Sequence, residues 1–313
     1  MSPAQDLAGA VPRTPARPGP GPMPEALLRT LDLRSRRRVN GFLPGDHRSS
    51  ALGAGSELSR IRPYRTGDDV RLMDWNVTAR TGEPHVREHE AEKGLTAWVA
   101  LDASPSMNFG TATRRKADVA EGVVLALAHL ATRGGNRLGL LTFGGGEAEA
   151  LPPRGGRVAR LGILTALCRE PAPEGIGTTS LGVGLRRTSR LARGRGLVAV
   201  VSDLRGPRDW RRPLLELAGR HEVIVFEVRD PREQRLPDVG DLWFEDPETG
   251  RQLRANTADG RLRERFAAAA AAEREEVARE IRSAGADHLV LSSDGDWLRT
   301  LAGSLGRRRG GRR

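Results

Sequence analysis

The chain has 313 residues, enough for one large domain or two of average size, with 38% hydrophobic and 29% charged residues. Its formal net charge is +11, but only two of its 51 basic residues are lysines, a bias typical of a GC-rich genome rather than of polyanion binding. A single cysteine, Cys168, excludes an internal disulfide, and no apolar run reaches the roughly 18 residues of a transmembrane helix. Since an apolar signal core is also absent, we expect a soluble cytoplasmic protein.

Both ends of the chain have the composition of disordered segments. Residues 1–24 hold seven of the 20 prolines and predict a disordered leader. Residues 305–313 predict a basic disordered tail, whose arginines account for nearly half of the net charge. An arginine-rich nucleic-acid binder is therefore one alternative, although no aromatic residues are interleaved with the tail.

Between the leader and residue 95 the pattern is irregular. A short helix is expected in PEALLRTLDLRSRRR, because proline at the first turn favours a helix start. The following residues combine charge, turn residues and short apolar alternations such as PHVREHE. We therefore expect residues 25–94 to form a helix and a β-rich accessory segment.

From residue 95 to residue 304, apolar strands alternate with helical patterns. TAWVALD, NRLGLLTF, GLVAVVSD, HEVIVFEV and DHLVLSSD predict strands, and EAEALPP predicts an edge strand. DLWFEDPETGRQLRA predicts a hairpin around PETG. Strands that alternate with helices predict an α/β domain with a Rossmann-like, mostly parallel sheet flanked by helices. We expect the five tryptophans to act as core or edge anchors.

Acids and hydroxyls follow the predicted strands. The first strand is followed by Asp102, Ser104 and Ser106, and GLVAVVSD ends in Asp203. Ligands of open parallel sheets bind at the carboxyl ends of the strands, where these side chains are expected to meet. Oxygen ligands of this kind suit Mg²⁺, Ca²⁺ or Mn²⁺ rather than zinc. The same residue types also cap helices, which is the structural alternative.

Enzymatic interpretations of these residues are less well supported. A serine hydrolase needs a base beside the nucleophile, and the G-x-S-x-G elbow is absent. A P-loop needs G-K-[ST], in which neither lysine stands. An aspartyl phosphotransferase would usually have a second acid where Ser104 stands. A metal-dependent hydrolase that uses the same acids and a bound water remains an alternative.

The motif D-x-S-x-S at residues 102–106, followed by GTTSL and VVSDL, resembles the metal-ion-dependent adhesion site of von Willebrand factor A domains. The resemblance implies a von Willebrand A-type fold and a non-catalytic, metal-dependent protein-binding function in which a partner's carboxylate completes the coordination of Mg²⁺ (or Ca²⁺ or Mn²⁺). In that family the threonine loop commonly reads G-G-T, whereas here it reads Gly177-Thr178-Thr179. Thr178 is therefore an alternative to Thr179 as the metal ligand. The implied metal ligands are Asp102, Ser104, Ser106, Thr179 and Asp203.

Residues 55–90 resemble the bacterial family called domain of unknown function 58, whose members carry a von Willebrand A-like domain directly after this segment. The resemblance implies a MoxR-type AAA ATPase as partner, in the assembly or maturation of other proteins. We expect the charged residues of this segment to be structural, with a direct interaction surface as the alternative. The residues concerned are Arg62, Tyr64, Asp68, Asp69, Arg71, Asp74, Trp75 and Arg80, and the resemblance also covers Gly67, Ala79, Val86, Arg87 and Glu88.

Overall fold

The computed structural model describes residues 19–23, 52–66, 68–90, 96–111, 113–133, 136–144, 148–167 and 180–307. The chain divides into two compact units, one of residues 44–95 and one of the remaining residues. Most of the predicted leader, the helix expected after it, Cys168 and the last six residues of the tail lie outside the described residues.

The smaller unit is built on an antiparallel strand pair. Strand β1 (Leu52–Pro63) pairs with β2 (His85–Glu90), and helix α1 (Trp75–Thr81) lies between them in the chain. The helix begins because buried Asp74 accepts the backbone N–H groups of its first turn, and it ends at Gly82, which has a φ of 74°. This helix was not among the elements predicted for residues 25–94, which were one earlier helix and a β-rich segment.

The larger unit contains one six-stranded sheet in the order β10-β7-β6-β3-β4-β5. All neighbouring strands are parallel except β5, which pairs antiparallel with β4 at one edge. Strands β8 and β9 form a separate hairpin. The strands are β3 (Thr96–Asp102), β4 (Arg137–Phe143), β5 (Ala150–Arg154), β6 (Leu197–Ser202), β7 (Glu222–Arg229), β8 (Asp241–Glu245), β9 (Gln252–Asn256) and β10 (Asp287–Ser292).

Helices cover both faces of this sheet. The larger unit's helices are α2 (Lys116–Arg133), α3 (Gly156–Leu167), α4 (Leu181–Leu191), α5 (Arg211–Ala218), α6 (Gly260–Ser283) and α7 (Trp297–Arg307). Because side chains alternate along a strand, Val99 of β3 packs in the core under α2, α3 and α7, while Ala100 packs in the core under α4, α5 and α6. The predicted α/β fold, with its mostly parallel sheet flanked by helices, is confirmed.

The tryptophans divide into two groups. Trp98, Trp210 and Trp297 are buried, as expected of core anchors. Trp75 and Trp243 are each 69% exposed, so the expectation that they anchor a core or an edge was wrong. Trp75 lies on the seven-residue helix α1 and Trp243 on the two-stranded β8–β9 hairpin, and such small elements do not cover a large aromatic ring on their own.

A buried carboxylate ties together the loops beyond the carboxyl ends of β7 and β10. Each oxygen of Asp230 accepts two hydrogen bonds, at 2.6–2.9 Å. Oδ1 accepts the Thr111 hydroxyl and Arg232 N–H, and Oδ2 accepts Thr111 N–H and the Ser293 hydroxyl. Burial acts to raise the pKa of Asp230, but these donors outweigh it and hold that pKa below the ordinary value.

Candidate functional site

The predicted site lies where the strand order of the sheet reverses. From β3 the chain winds outward first through β4 and then, on the other side, through β6 and β7. Asp102 is the last residue of β3, and Asp203 directly follows β6, so the two acids flank this switch point. Ligands of open α/β sheets bind at such a point, because the loops of the two neighbouring strands diverge there and leave a crevice.

The two serines after β3 face each other. Ser104 Oγ lies 3.0 Å from Ser106 Oγ, and both residues are buried. Ser104 stands at the cap position of the 3-10 turn Pro105–Asn108, yet its side chain makes no capping hydrogen bond. The capping alternative therefore does not account for Ser104, whose hydroxyl is directed at the other serine instead.

Asp102 is held in place by its own loop and by β6. Its Oδ1 accepts Ser104 N–H at 3.0 Å, and its Oδ2 accepts the Ser202 hydroxyl at 2.6 Å. Burial and the nearby negative charge of Asp203 raise the pKa of Asp102 to about 6, against the opposing effect of these hydrogen bonds. This carboxylate is thus fixed in orientation, and among the described residues no salt bridge to it is found.

Asp203, in contrast, is paired with a buried lysine. Lys116 is the first residue of α2 and is fully buried, and its Nζ lies 2.6 Å from Asp203 Oδ2. The other oxygen of Asp203 accepts Arg205 N–H at 3.0 Å. Burial acts to raise the pKa of Asp203, but the Lys116 ammonium outweighs it and lowers that pKa, with a smaller contribution from the Ser106 hydroxyl.

Two further acids, both from the connection between β7 and α6, contact residues of the site. Glu233 Oε1 accepts a second hydrogen bond from Lys116 Nζ, at 2.5 Å. Glu248, in the turn of the β8–β9 hairpin, accepts Ser106 N–H at 3.1 Å. Sequence reasoning missed Lys116, Glu233 and Glu248, because nothing in their local sequence links them to the D-x-S-x-S motif.

The described side chains fit a hard divalent cation beside the serine pair. The two serine hydroxyls are hydrogen-bonded to each other at 3.0 Å, and adjacent oxygen ligands of an octahedral ion, at about 2.1 Å from it, are about 3.0 Å apart, so the two hydroxyls are close enough to bind one ion together. Asp102 provides a desolvated carboxylate next to them. Unlike Asp102, Asp203 is paired with the Lys116 ammonium, so its charge is already balanced inside the protein and it fits a supporting role through the Ser106 hydroxyl. In the part of the chain that the structure describes, no group of three or more His, Cys, Asp or Glu side chains is arranged to hold a metal ion.

Thr179, the threonine predicted as a metal ligand, lies outside the described residues, as does its neighbour Thr178. Four of the five predicted ligands are thus placed by the structure, at the ends of β3 and β6. Thr179 stays a prediction.

In the smaller unit, the charged residues that the sequence singled out make local contacts. Arg62 and Asp68 form a two-pronged ion pair at 2.7 and 2.9 Å, and the pKa of Asp68 is lowered to about 2 by the hydrogen bond from Arg62. Asp69 accepts Arg71 N–H at the start of a 3-10 turn. Tyr64 N–H donates to a backbone carbonyl, and Arg80 and Trp75 are exposed. Gly67 lies outside the described residues.

These features define the chain as an α/β protein with a doubly wound sheet and an acid–hydroxyl site at its switch point. The chain belongs to the family described as protein of unknown function DUF58, whose profile matches residues 60–276. It is similar to uncharacterized proteins of Mycobacterium bovis and Mycobacterium tuberculosis, each 44% identical over 287 residues, covering 91% of this chain and 90% of the relative. The predicted membership of this family is confirmed.

Solved structures similar to the chain include the conserved hypothetical protein BatB from Bacteroides thetaiotaomicron, with 17% identity and a TM-score of 0.44, covering 68% of this chain and 98% of that one. A von Willebrand factor type A protein from Catenulispora acidiphila is 16% identical with a TM-score of 0.34, over 45% of this chain and 34% of that one. The VWA domain of SpRpn10 is 13% identical with a TM-score of 0.37, and the match covers 68% of this chain and 97% of that one. These likenesses concern the fold alone.

Among the described residues, no helix has both the length and the apolar composition that a membrane crossing requires.

Proposed function

We propose that this protein is a non-catalytic, metal-dependent protein-binding module. Asp102, Ser104, Ser106 and Thr179 would hold Mg²⁺, with Ca²⁺ or Mn²⁺ as substitutes, and Asp203 would support them from the next strand. The cation, when bound, supplies a positive centre that a partner's carboxylate completes. The observation that carries the proposal is the convergence of two buried serine hydroxyls, hydrogen-bonded to each other at 3.0 Å, and the buried, fixed carboxylate of Asp102.

The residues of the chain favour binding over turnover. Among the described residues, the hydroxyls of Ser104 and Ser106 contact each other and the carboxylates of Asp102 and Asp203, and no histidine hydrogen-bonds to them. The histidines near the sheet support this interpretation, because His221 directly precedes β7 and His288 lies at the start of β10, at the edge opposite the site. A serine nucleophile would need such a base within hydrogen-bonding reach.

Isothermal titration with Mg²⁺ and Mn²⁺ tests the metal site directly. We expect saturable binding by the wild type that Asp102→Ala abolishes, because the substitution removes the carboxylate nearest to the serine pair. Asp294→Ala is the matched control, since Asp294 is an exposed acid that follows β10 at the same edge of the sheet. Equal binding by wild type and Asp102→Ala, with unchanged circular dichroism, would contradict the proposal.

The same titration distinguishes the two threonines of the GTTSL loop. If Thr179 is a ligand, Thr179→Ala weakens Mg²⁺ binding at least tenfold and Thr178→Ala leaves it unchanged. The reverse result would move the assignment to Thr178 and leave the rest of the site as proposed.

We propose a MoxR-type AAA ATPase as the partner, on the strength of the family resemblance. Mixing the two purified proteins should give a complex with Mg²⁺ that EDTA dissociates and that Asp102→Ala cannot form. A complex indifferent to EDTA would show that the ATPase binds elsewhere on the chain.

A further inference from the structure

The connection between β7 and α6 is unusually long for the link between a strand and the next helix. It runs for about 30 residues and contains the 3-10 turn Pro231–Glu233 and the whole β8–β9 hairpin, whereas such links commonly have two to six residues. It leaves β7 at the carboxyl end, the edge of the sheet at which Asp102 and Asp203 lie. The extra chain length therefore emerges beside the candidate metal site.

The hairpin returns to the site through one acid. Glu248 Oε1 accepts Ser106 N–H at 3.1 Å, although the two residues are 142 positions apart. Ser106 N–H belongs to the first turn of a 3-10 element that Ser104 does not cap, so this donor needs an acceptor from elsewhere. Glu248 thereby reaches the backbone of the residue whose hydroxyl belongs to the serine pair.

The turn that carries Glu248 is fixed by its own hydrogen bonds. Asp246 accepts Glu248 N–H at 3.0 Å and the Thr249 hydroxyl at 2.5 Å, and Gly250 N–H closes the turn on Asp246 O at 2.7 Å. The hydroxyl of Thr249 is the main cause of the lowered pKa of Asp246. The backbone of Glu248 is thus held in a defined position, with its carboxylate against the backbone N–H of Ser106.

We propose that Glu248 is the chain's own carboxylate ligand for the cation, so that the β8–β9 hairpin occupies the position of the partner's acid until a partner displaces it. The inference rests on the proposed function and extends it with a built-in competitor. An intramolecular ligand acts at an effective concentration in the millimolar range or above, so a free carboxylate must overcome it to bind. Removal of Glu248 should therefore raise the affinity for an external carboxylate.

The test uses Mn²⁺ as the cation and ¹³C-acetate as the external carboxylate. In the wild type we expect little ¹³C coupling in the electron spin echo spectrum of bound Mn²⁺ at millimolar acetate. In Glu248→Ala we expect clear coupling, at least tenfold tighter acetate binding and one additional exchangeable water on Mn²⁺ when acetate is absent. The control is Glu245→Ala, which removes an acid of the same hairpin that bonds to Gln252.

Hydrogen–deuterium exchange gives a second measurement that does not depend on acetate. Mn²⁺ should slow exchange of the backbone amides of residues 241–256 in the wild type and in Glu245→Ala, but not in Glu248→Ala. If Mn²⁺ binds and Asp102→Ala abolishes that binding, yet Glu248→Ala behaves like the wild type in both experiments, this inference is wrong and the proposed function stands. If the wild type binds no Mn²⁺, both are wrong.

Discussion

Replacing Lys116 with methionine tests the central electrostatic feature of the site. The lysine is fully buried, and its ammonium lies 2.6 Å from Asp203 Oδ2 and 2.5 Å from Glu233 Oε1. Methionine keeps most of the volume of the side-chain stem and removes the charge. Asp203, whose side chain is 1% exposed, is then left inside the protein without its counter-charge.

The expected cost follows from what remains after the substitution. Removing one partner of a buried ion pair costs about 3–5 kcal/mol, because the other charge stays desolvated. The side chain of Glu233 is 16% exposed and is partly relieved by water, so Asp203 carries most of this penalty. We therefore expect Lys116→Met to lower the free energy of unfolding by about 3–5 kcal/mol at pH 7.

Urea unfolding followed by circular dichroism measures this loss, and a double variant identifies its cause. Adding Asp203→Asn to Lys116→Met removes the stranded charge, so the double variant should be more stable than Lys116→Met alone. Lys116→Arg keeps the charge but places a wider, planar group with five donors where two acceptors fit a compact ammonium, and it too should destabilise. A loss under about 1 kcal/mol for Lys116→Met, or no recovery in the double variant, would refute the reasoning.

Three further substitutions test the packing and hydrogen bonding of the larger unit. Asp230→Asn places an amide among four donors and should cost about 1–3 kcal/mol at pH 7. Since the folded-state pKa of Asp230 is lowered, this cost is present above pH 3.8 and the difference from the wild type shrinks as pH falls below that value, which urea unfolding at several pH values checks. Gly122→Ala places a methyl in steric conflict with the buried Trp297 ring and should cost about 1–3 kcal/mol. Gly162→Ala, in open space on α3, should instead stabilise by up to about 1 kcal/mol; equal melting temperatures for the two glycine variants would contradict the packing argument.

The fold was predictable because its signals are local. Apolar strands such as GLVAVVSD are buried on both faces of a parallel sheet and therefore form continuous hydrophobic runs. The PETG turn likewise marked the β8–β9 hairpin. Helix α1 was not predicted, because its seven residues carry no apolar periodicity. Asp74 before it and Gly82 after it are nevertheless typical boundary residues of a helix.

The acids and serines of the site were predictable for a related reason. Asp102 ends β3, the two serines come after it and Asp203 follows β6, and the carboxyl ends of neighbouring parallel strands meet at one edge. Glu233 and Glu248 lie in the long connection between β7 and α6. No local sequence pattern indicates that this connection returns to the site. Lys116 did leave a compositional signal, because it is one of only two lysines among the 51 basic residues and a lysine cannot be exchanged freely for arginine at a compact buried site.

The lysine also determines what the site requires of a partner. Asp203 directs one oxygen to the Lys116 ammonium and the other to a backbone N–H, so its charge is largely balanced inside the protein. The serine hydroxyls carry no net charge, which leaves Asp102 as the principal anionic ligand that the described residues offer to a dication. A cation held in this way keeps an excess of positive charge and attracts a further carboxylate. For that physical reason we place the partner's acid, and before it Glu248, at the same position.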